Sequence, residues 1–130
     1  MYRAETHGIE VTAEPVYLAD QSAPQQSRWF WAYTITITNH SDEPVQLLSR
    51  HWRITDGHGR LHEVRGEGVI GEQPLIEPGG SFSYTSGCPL ETPEGIMVGD
   101  YAMVKPDGEM ISVAIPAFSL DSQTTKRVLH

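Results

Sequence analysis

A chain of 130 residues, 38% of them apolar, is long enough for one domain with a buried core, and nine Lys and Arg against seventeen Asp and Glu give it a formal charge of −8. That charge argues against non-specific adhesion to nucleic acid or anionic membrane; no apolar run approaches the about eighteen residues of a membrane-spanning helix, and the residues from Met1 to His7 lack the basic start and apolar stretch of a signal peptide. A lone cysteine, Cys88, excludes an intrachain disulfide and fits a reducing compartment, so the expectation is a single cytoplasmic domain over residues 1–130.

The first periodic segment has period two. Ile9, Val11, Ala13 and Tyr17 share one parity and Glu10, Thr12 and Glu14 the other, which predicts a half-buried strand, at an edge or irregular at Pro15, whose nitrogen carries no hydrogen. Residues 20–26 are polar, contain Pro24 and read as a loop. In residues 29–38, Trp29, Trp31, Tyr33, Ile35 and Ile37 lie on one face and Thr34, Thr36 and Thr38 on the other, the pattern of a central strand. Residues 39–44 have turn chemistry, and residues 45–54 resume as a strand whose parity slips from Val45 and Leu47 to Leu48, Trp52 and Ile54. A bulge near Ser49 and Arg50 reconciles the two phases.

Asp56-Gly57-His58-Gly59 then predicts a hairpin turn, residues 61–65 a short strand, and residues 66–80, with five glycines and two prolines, a long loop. Phe82 and Tyr84 open another strand, and residues 88–97 read as a Pro- and Gly-rich turn region. Residues 101–105 and 110–115 flank the hairpin signal Pro106-Asp107-Gly108, and Phe118 and Leu120 add a last short pairing before a polar tail. Seven or eight short strands without a helical period predict an all-β domain, a two-layer β-sandwich with a small barrel as the alternative.

Gly66-Glu67-Gly68-Val69-Ile70-Gly71 matches G-x-G-x-x-G, but prolines 74 and 78 and glycines 79 and 80 stand where a dinucleotide site needs a helix, so that fold is excluded. Three readings of the loop remain. It makes tight turns; or it binds a protein, with Val69 and Ile70 either protruding or tucked inward; or its backbone N–H groups, with Arg65, cradle a phosphate-containing small molecule such as a nucleotide or pyrophosphate, against the repulsion of Glu67 and Glu72. His51, His58, His62 and Glu63 have no spacing that converges on a metal, so no metal site and no cofactor is expected. Cys88, between Gly87 and Pro89, and Ser86 read as turn residues without a base, and no catalytic residue is assigned. Trp29, Trp31, Tyr33 and Trp52 read as core, with Arg50, His51 and Arg53 pointing elsewhere. Arg50, Arg53, Arg60 and Arg65 form the densest basic stretch, but Asp56, Glu63 and Glu67 interrupt it, against nucleic-acid binding.

Several stretches carry a family resemblance: Leu47-Leu48-Ser49-Arg50-His51-Trp52, Val64-Arg65-Gly66-Glu67-Gly68-Val69-Ile70-Gly71-Glu72-Gln73-Pro74, Tyr84-Thr85-Ser86-Gly87, the series Thr92, Pro93, Gly95, Met97, Gly99, Tyr101, and Ile115-Pro116-Ala117-Phe118. With these the chain resembles the ApaG family of small bacterial proteins. The resemblance implies an immunoglobulin- or fibronectin type III-like β-sandwich, an association with cobalt tolerance and magnesium efflux, and similarity to interaction modules in eukaryotic proteins, among them some F-box proteins. It supplies no catalytic residues, only the glycines Gly66, Gly68 and Gly71. The expectation is therefore a non-enzymatic interaction module with an unidentified protein partner. Its binding loop is Arg65, Gly66, Gly68, Val69, Ile70 and Gly71. A homodimer through edge strands is expected, and a phosphate-containing ligand at the same loop is the alternative.

Overall fold

In the computed structural model, which describes residues 1–122, the clean alternation after Arg28 becomes the longest strand of the first sheet. The strands are β1 (Tyr2–Thr6), β2 (Ile9–Tyr17), β3 (Trp29–Asn39), β4 (Val45–Asp56), β5 (Leu61–Glu67), β6 (Leu75–Ile76), β7 (Ser81–Leu90), β8 (Glu94–Val104) and β9 (Met110–Asp121), with two short 3₁₀ turns, Ala19–Gln21 and Pro24–Gln26, between β2 and β3. All pairings are antiparallel. One sheet has the order β1-β2-β3-β7 and the other β5-β4-β8-β9, with β6 beside the start of β4. The two face each other as an all-β sandwich, with β3 central as its pattern predicts.

Nine strands form among the described residues rather than seven or eight. β1 escapes the sequence reading because it is mostly exposed and has no apolar alternation; it folds back on β2 through His7 and Gly8, both at positive φ. Residues 88–97 are not a turn region: β7 continues to Leu90 and β8 begins at Glu94. β7 tolerates Pro89 because it is an edge strand. Nor are residues 66–80 one loop, since β5 runs to Glu67 and β6 pairs with Val45 and Gln46. At Pro15, β2 has a neighbour on one side only, because β1 ends opposite Ala13.

The parity slip in β4 is a bulge at Leu48, between Leu47 and Ser49, just before the expected position. It brings Val45, Leu47, Trp52 and Ile54 all onto the core face. The Leu48 carbonyl meanwhile accepts the amide of Gly68 and the side-chain amide of Gln73, each at 2.8 Å, and so anchors the segment after β5. On the opposite face of β3, Thr34, Thr36 and Thr38 pair with Thr85, Ser83 and Ser81 of β7 in a ladder of exposed hydroxyls.

The sandwich is closed on one side and open on the other. Across the closed side the Ala114 amide donates to Thr6 Oγ1 at 3.1 Å, and the rings of Tyr2 and Phe118 lie 6.0 Å apart, joining β1 to β9. Inside, the Tyr84 and Tyr101 hydroxyls meet at 2.5 Å between the sheets. On the other side, β5 and β7 are both edge strands without a further neighbour.

Candidate binding cleft

Where β5 and β7 stand apart, the sheets leave a cleft of about 940 Å³. Tyr33, Trp52 and Met97 lie at its base, Ile54, His62 and Val64 along the β4–β5 wall, and Trp29 with Ser86 to Leu90 along the β3–β7 wall; Arg28, Arg50 and Arg60 also line it. A second lobe of about 300 Å³ shares Tyr33, Arg50, Trp52 and Ser86 and is bounded by Val69, Ile70 and Gly71. Trp52 and Tyr33 are held edge to face, 5.4 Å between ring centres, so the floor is rigid, although at 2% and 6% exposure the two rings present little surface to the cleft.

Arg50 does not point away from Trp52. With the bulge at Leu48 behind it, it follows the phase of Trp52 and Ile54 and joins the two lobes. Its Nη1 donates to the carbonyls of Gly68 at 2.8 Å and Glu67 at 3.1 Å. Gly66 makes room for it: a Cβ there would stand 2.8 Å from both terminal guanidinium nitrogens. This glycine serves a close approach, not a turn.

The other two motif glycines do serve turns. Gly68 has φ +62°, and a Cβ on it would lie 2.2 Å from the Glu72 carbonyl oxygen. Val69 and Glu72 exchange backbone hydrogen bonds of 2.8 and 2.9 Å around Ile70 (φ +43°) and Gly71 (φ +79°), a tight turn with both central residues left-handed. The apolar pair is divided: Val69 is buried at 1% exposure, whereas Ile70, a β-branched residue in a costly conformation, is 55% exposed. The amides of Gly68, Val69 and Glu72 already donate to backbone carbonyls. Arg65 turns to the outer face of the sheet, where it approaches Glu63 at 3.6 Å and pairs in register with His51.

The histidines are separated by the pleat. His62 faces the cleft and contacts Asp56 at 3.1 Å; His51 is on the outer face, 2.9 Å from Glu63. Among the described residues no group of three or more His, Cys, Asp or Glu is placed to hold a metal ion, and no helix is long and apolar enough to cross a membrane. Cys88 is not in a turn but within β7, opposite Trp31, and burial pushes its thiol up to about 11, away from a reactive thiolate. Ser86 is likewise a strand residue, opposite Tyr33. Burial also raises the phenols of Tyr33, Tyr84 and Tyr101.

Asp56 closes the cleft at the β4–β5 turn. Its carboxylate accepts the amides of His58 at 2.9 Å and Arg60 at 3.0 Å and meets the His62 ring. The His62 hydrogen bond, followed by these amides and the Arg60 charge, outweighs burial and holds the acid at about 2. A carboxyl lowered from its ordinary value of 3.8 stabilises the fold fully above that value and loses the contribution as pH falls through about 2. The urea midpoint of the native chain should accordingly fall steeply between about pH 4 and pH 2, and that of Asp56→Asn should fall less. Glu10 and Glu63, lowered chiefly by His40 and His51 respectively, act in the same direction in both proteins. An unchanged acid limb in the variant would show that Asp56 is not its source.

A family model described as the ApaG domain matches residues 19–105. Over all 130 residues, and the whole of each relative, the chain is 59% identical to protein ApaG of Mesorhizobium japonicum and 58% identical to protein ApaG of Methylorubrum populi. It is similar to the crystal structure of an ApaA protein from Bordetella pertussis, with a TM-score of 0.87 at 45% identity over 95% of this chain and 99% of that one. The C-terminal domain of wzt, at 10% identity and a TM-score of 0.55 over 92% of this chain and 76% of that one, shares the fold alone.

Proposed function

The chain belongs to the ApaG domain family, and from that premise we propose that it is a non-catalytic binding module holding a protein partner in the cleft between β5 and β7. One observation carries the reading. Both sheets end in an unpaired edge on the same side, and the gap between those edges has a preformed aromatic base. Edge strands offer a row of backbone donors and acceptors to an incoming segment, and a floor already fixed by packing needs no ordering when that segment binds. The raised Cys88 thiol and the tightly committed Asp56 speak for binding rather than chemistry. On this reading, the family's association with cobalt tolerance and magnesium efflux runs through the partner rather than through an ion on this chain.

The expected binding loop becomes one end of the site, with Ile70 and Gly71 at the second lobe and Arg50 in the place given to Arg65. A phosphate-containing ligand has less support, because three loop amides are engaged and Arg65 approaches Glu63. A dimer formed through β5 or β7 would use the same two edges, so it and a bound partner would exclude each other. The test is selection of random displayed peptides on the full chain, repeated with Val64→Arg, which fills the cleft from an exposed position. Binders of micromolar affinity that the variant loses support the proposal. Failure to enrich any binder, or binders indifferent to Val64→Arg, overturns it.

A further inference from the structure

Resting on that reading, we infer that the partner segment is acidic: an extended peptide that pairs with the free edge of β5 and presents a carboxylate to Arg50. The cations of the described chain carry this. Arg3, Arg53, Arg60, Arg65 and Lys105 each have a carboxylate within 4.0 Å. Arg28 and Arg50 do not, although acids outnumber bases seventeen to nine, and both line the same cleft. Glu91 and Glu67 also line the two lobes without an ion pair among the described residues, so the positive charge is local to the Arg50 fork rather than spread over the cleft.

Arg50 is built for such a ligand. It is half-buried, so its charge is partly stripped of water. The two carbonyls on Nη1 fix the guanidinium plane without neutralising it, and Nε and Nη2 are left without a partner among the described residues. A fixed planar fork with two adjacent free donors matches a carboxylate held by paired hydrogen bonds. The acids lining the two lobes do not fill this role. Asp56 is committed to His62, Arg60 and two amides, and neither Glu67 nor Glu91 is within ion-pair distance of Arg50.

A peptide fits better than a polyanion. The molecular charge of −8 repels nucleic acid as a whole, whereas a segment with one or two carboxylates feels mainly the nearby arginines. β5 is unpaired along its outer edge, with Leu61 58% and Val64 41% exposed, so an added strand gains backbone hydrogen bonds and apolar contact together. Its alternate side chains would then face the cleft, placing the acids at a spacing of two.

The experiment extends the peptide selection. Enriched peptides, of about twelve residues, are synthesised with a fluorescent label and titrated by anisotropy. They should share one or two Asp or Glu, spaced by two where there is a pair. Arg50→Met should weaken them at least about tenfold, Arg28→Ala by less, and Arg53→Ala on the outer face not at all. Arg50→Lys, which keeps the charge but loses the fork, should fall between native and Arg50→Met and guards against misfolding of the methionine variant. Peptides that need the cleft, as judged by Val64→Arg, yet lack acids or ignore Arg50→Met would overturn the acidic assignment and leave the binding module standing. Displacement of the peptides by inorganic pyrophosphate at matching affinity would reassign Arg50 to small anions.

Discussion

Trp52→Ala is expected to lower the unfolding free energy by about 3–5 kcal/mol, which urea denaturation of native and variant chains will measure. The indole is 2% exposed and meets Phe118 perpendicular at 5.9 Å as well as Tyr33, while Tyr33 and Phe118 are themselves 5.9 Å apart. Three rings from β3, β4 and β9 therefore form one cluster spanning both sheets. Its removal forfeits buried area and two directed aromatic contacts, each worth about 0.5–1.5 kcal/mol beyond area. Trp29→Ala, at the half-buried start of β3, should cost less than half as much. Equal losses at the two positions would mean that the cluster is not the centre of stability.

Gly99→Ala should be nearly as damaging, at about 3 kcal/mol, the upper end of the overpacking range. Gly99 lies opposite Trp52 in the β4–β8 register, and a Cβ there would stand 2.3 Å from the His51 carbonyl oxygen and 3.2 Å from the Trp52 ring. The obstacle is backbone of the neighbouring strand, so no rotamer relieves it and the strands must separate. Gly59→Ala is the comparison, since its Cβ meets nothing within 4 Å and only the positive φ is strained. Equal midpoints for the two variants would remove the close-approach explanation.

Periodicity announced the interior well and the edges poorly. Residues that alternate because one face is buried, as in β3, leave a sign that needs no partner to read. β1 leaves none, because its pairing with β2 is made by backbone groups common to every residue. The glycines of β8 look like loop residues until the backbone crowding at Gly95 and Gly99 is visible. The cleft is similarly hidden. Each lining residue is plain in the sequence, yet the turn of Arg50 toward Trp52 depends on one extra residue at Leu48, which shifts the facing of everything after it. Arg65 adjoins the glycine motif in sequence, whereas Arg50 adjoins it in space, and only the second relation is invisible before folding.

β9 is the last of the described elements to be laid down, and it contributes Ile111, Val113, Ile115, Phe118 and Leu120 to the interior while joining β1 across the closed side. During translation, a nascent chain that has released β1 to β8 has an open β8 edge and lacks the wall against which Tyr33 and Trp52 pack. Such a chain has no complete core and no stable stopping point, because the contacts that close the sandwich join the two ends of the described chain. Folding therefore waits for β9 to emerge, and the growing chain relies until then on whatever keeps exposed strands from pairing with their neighbours.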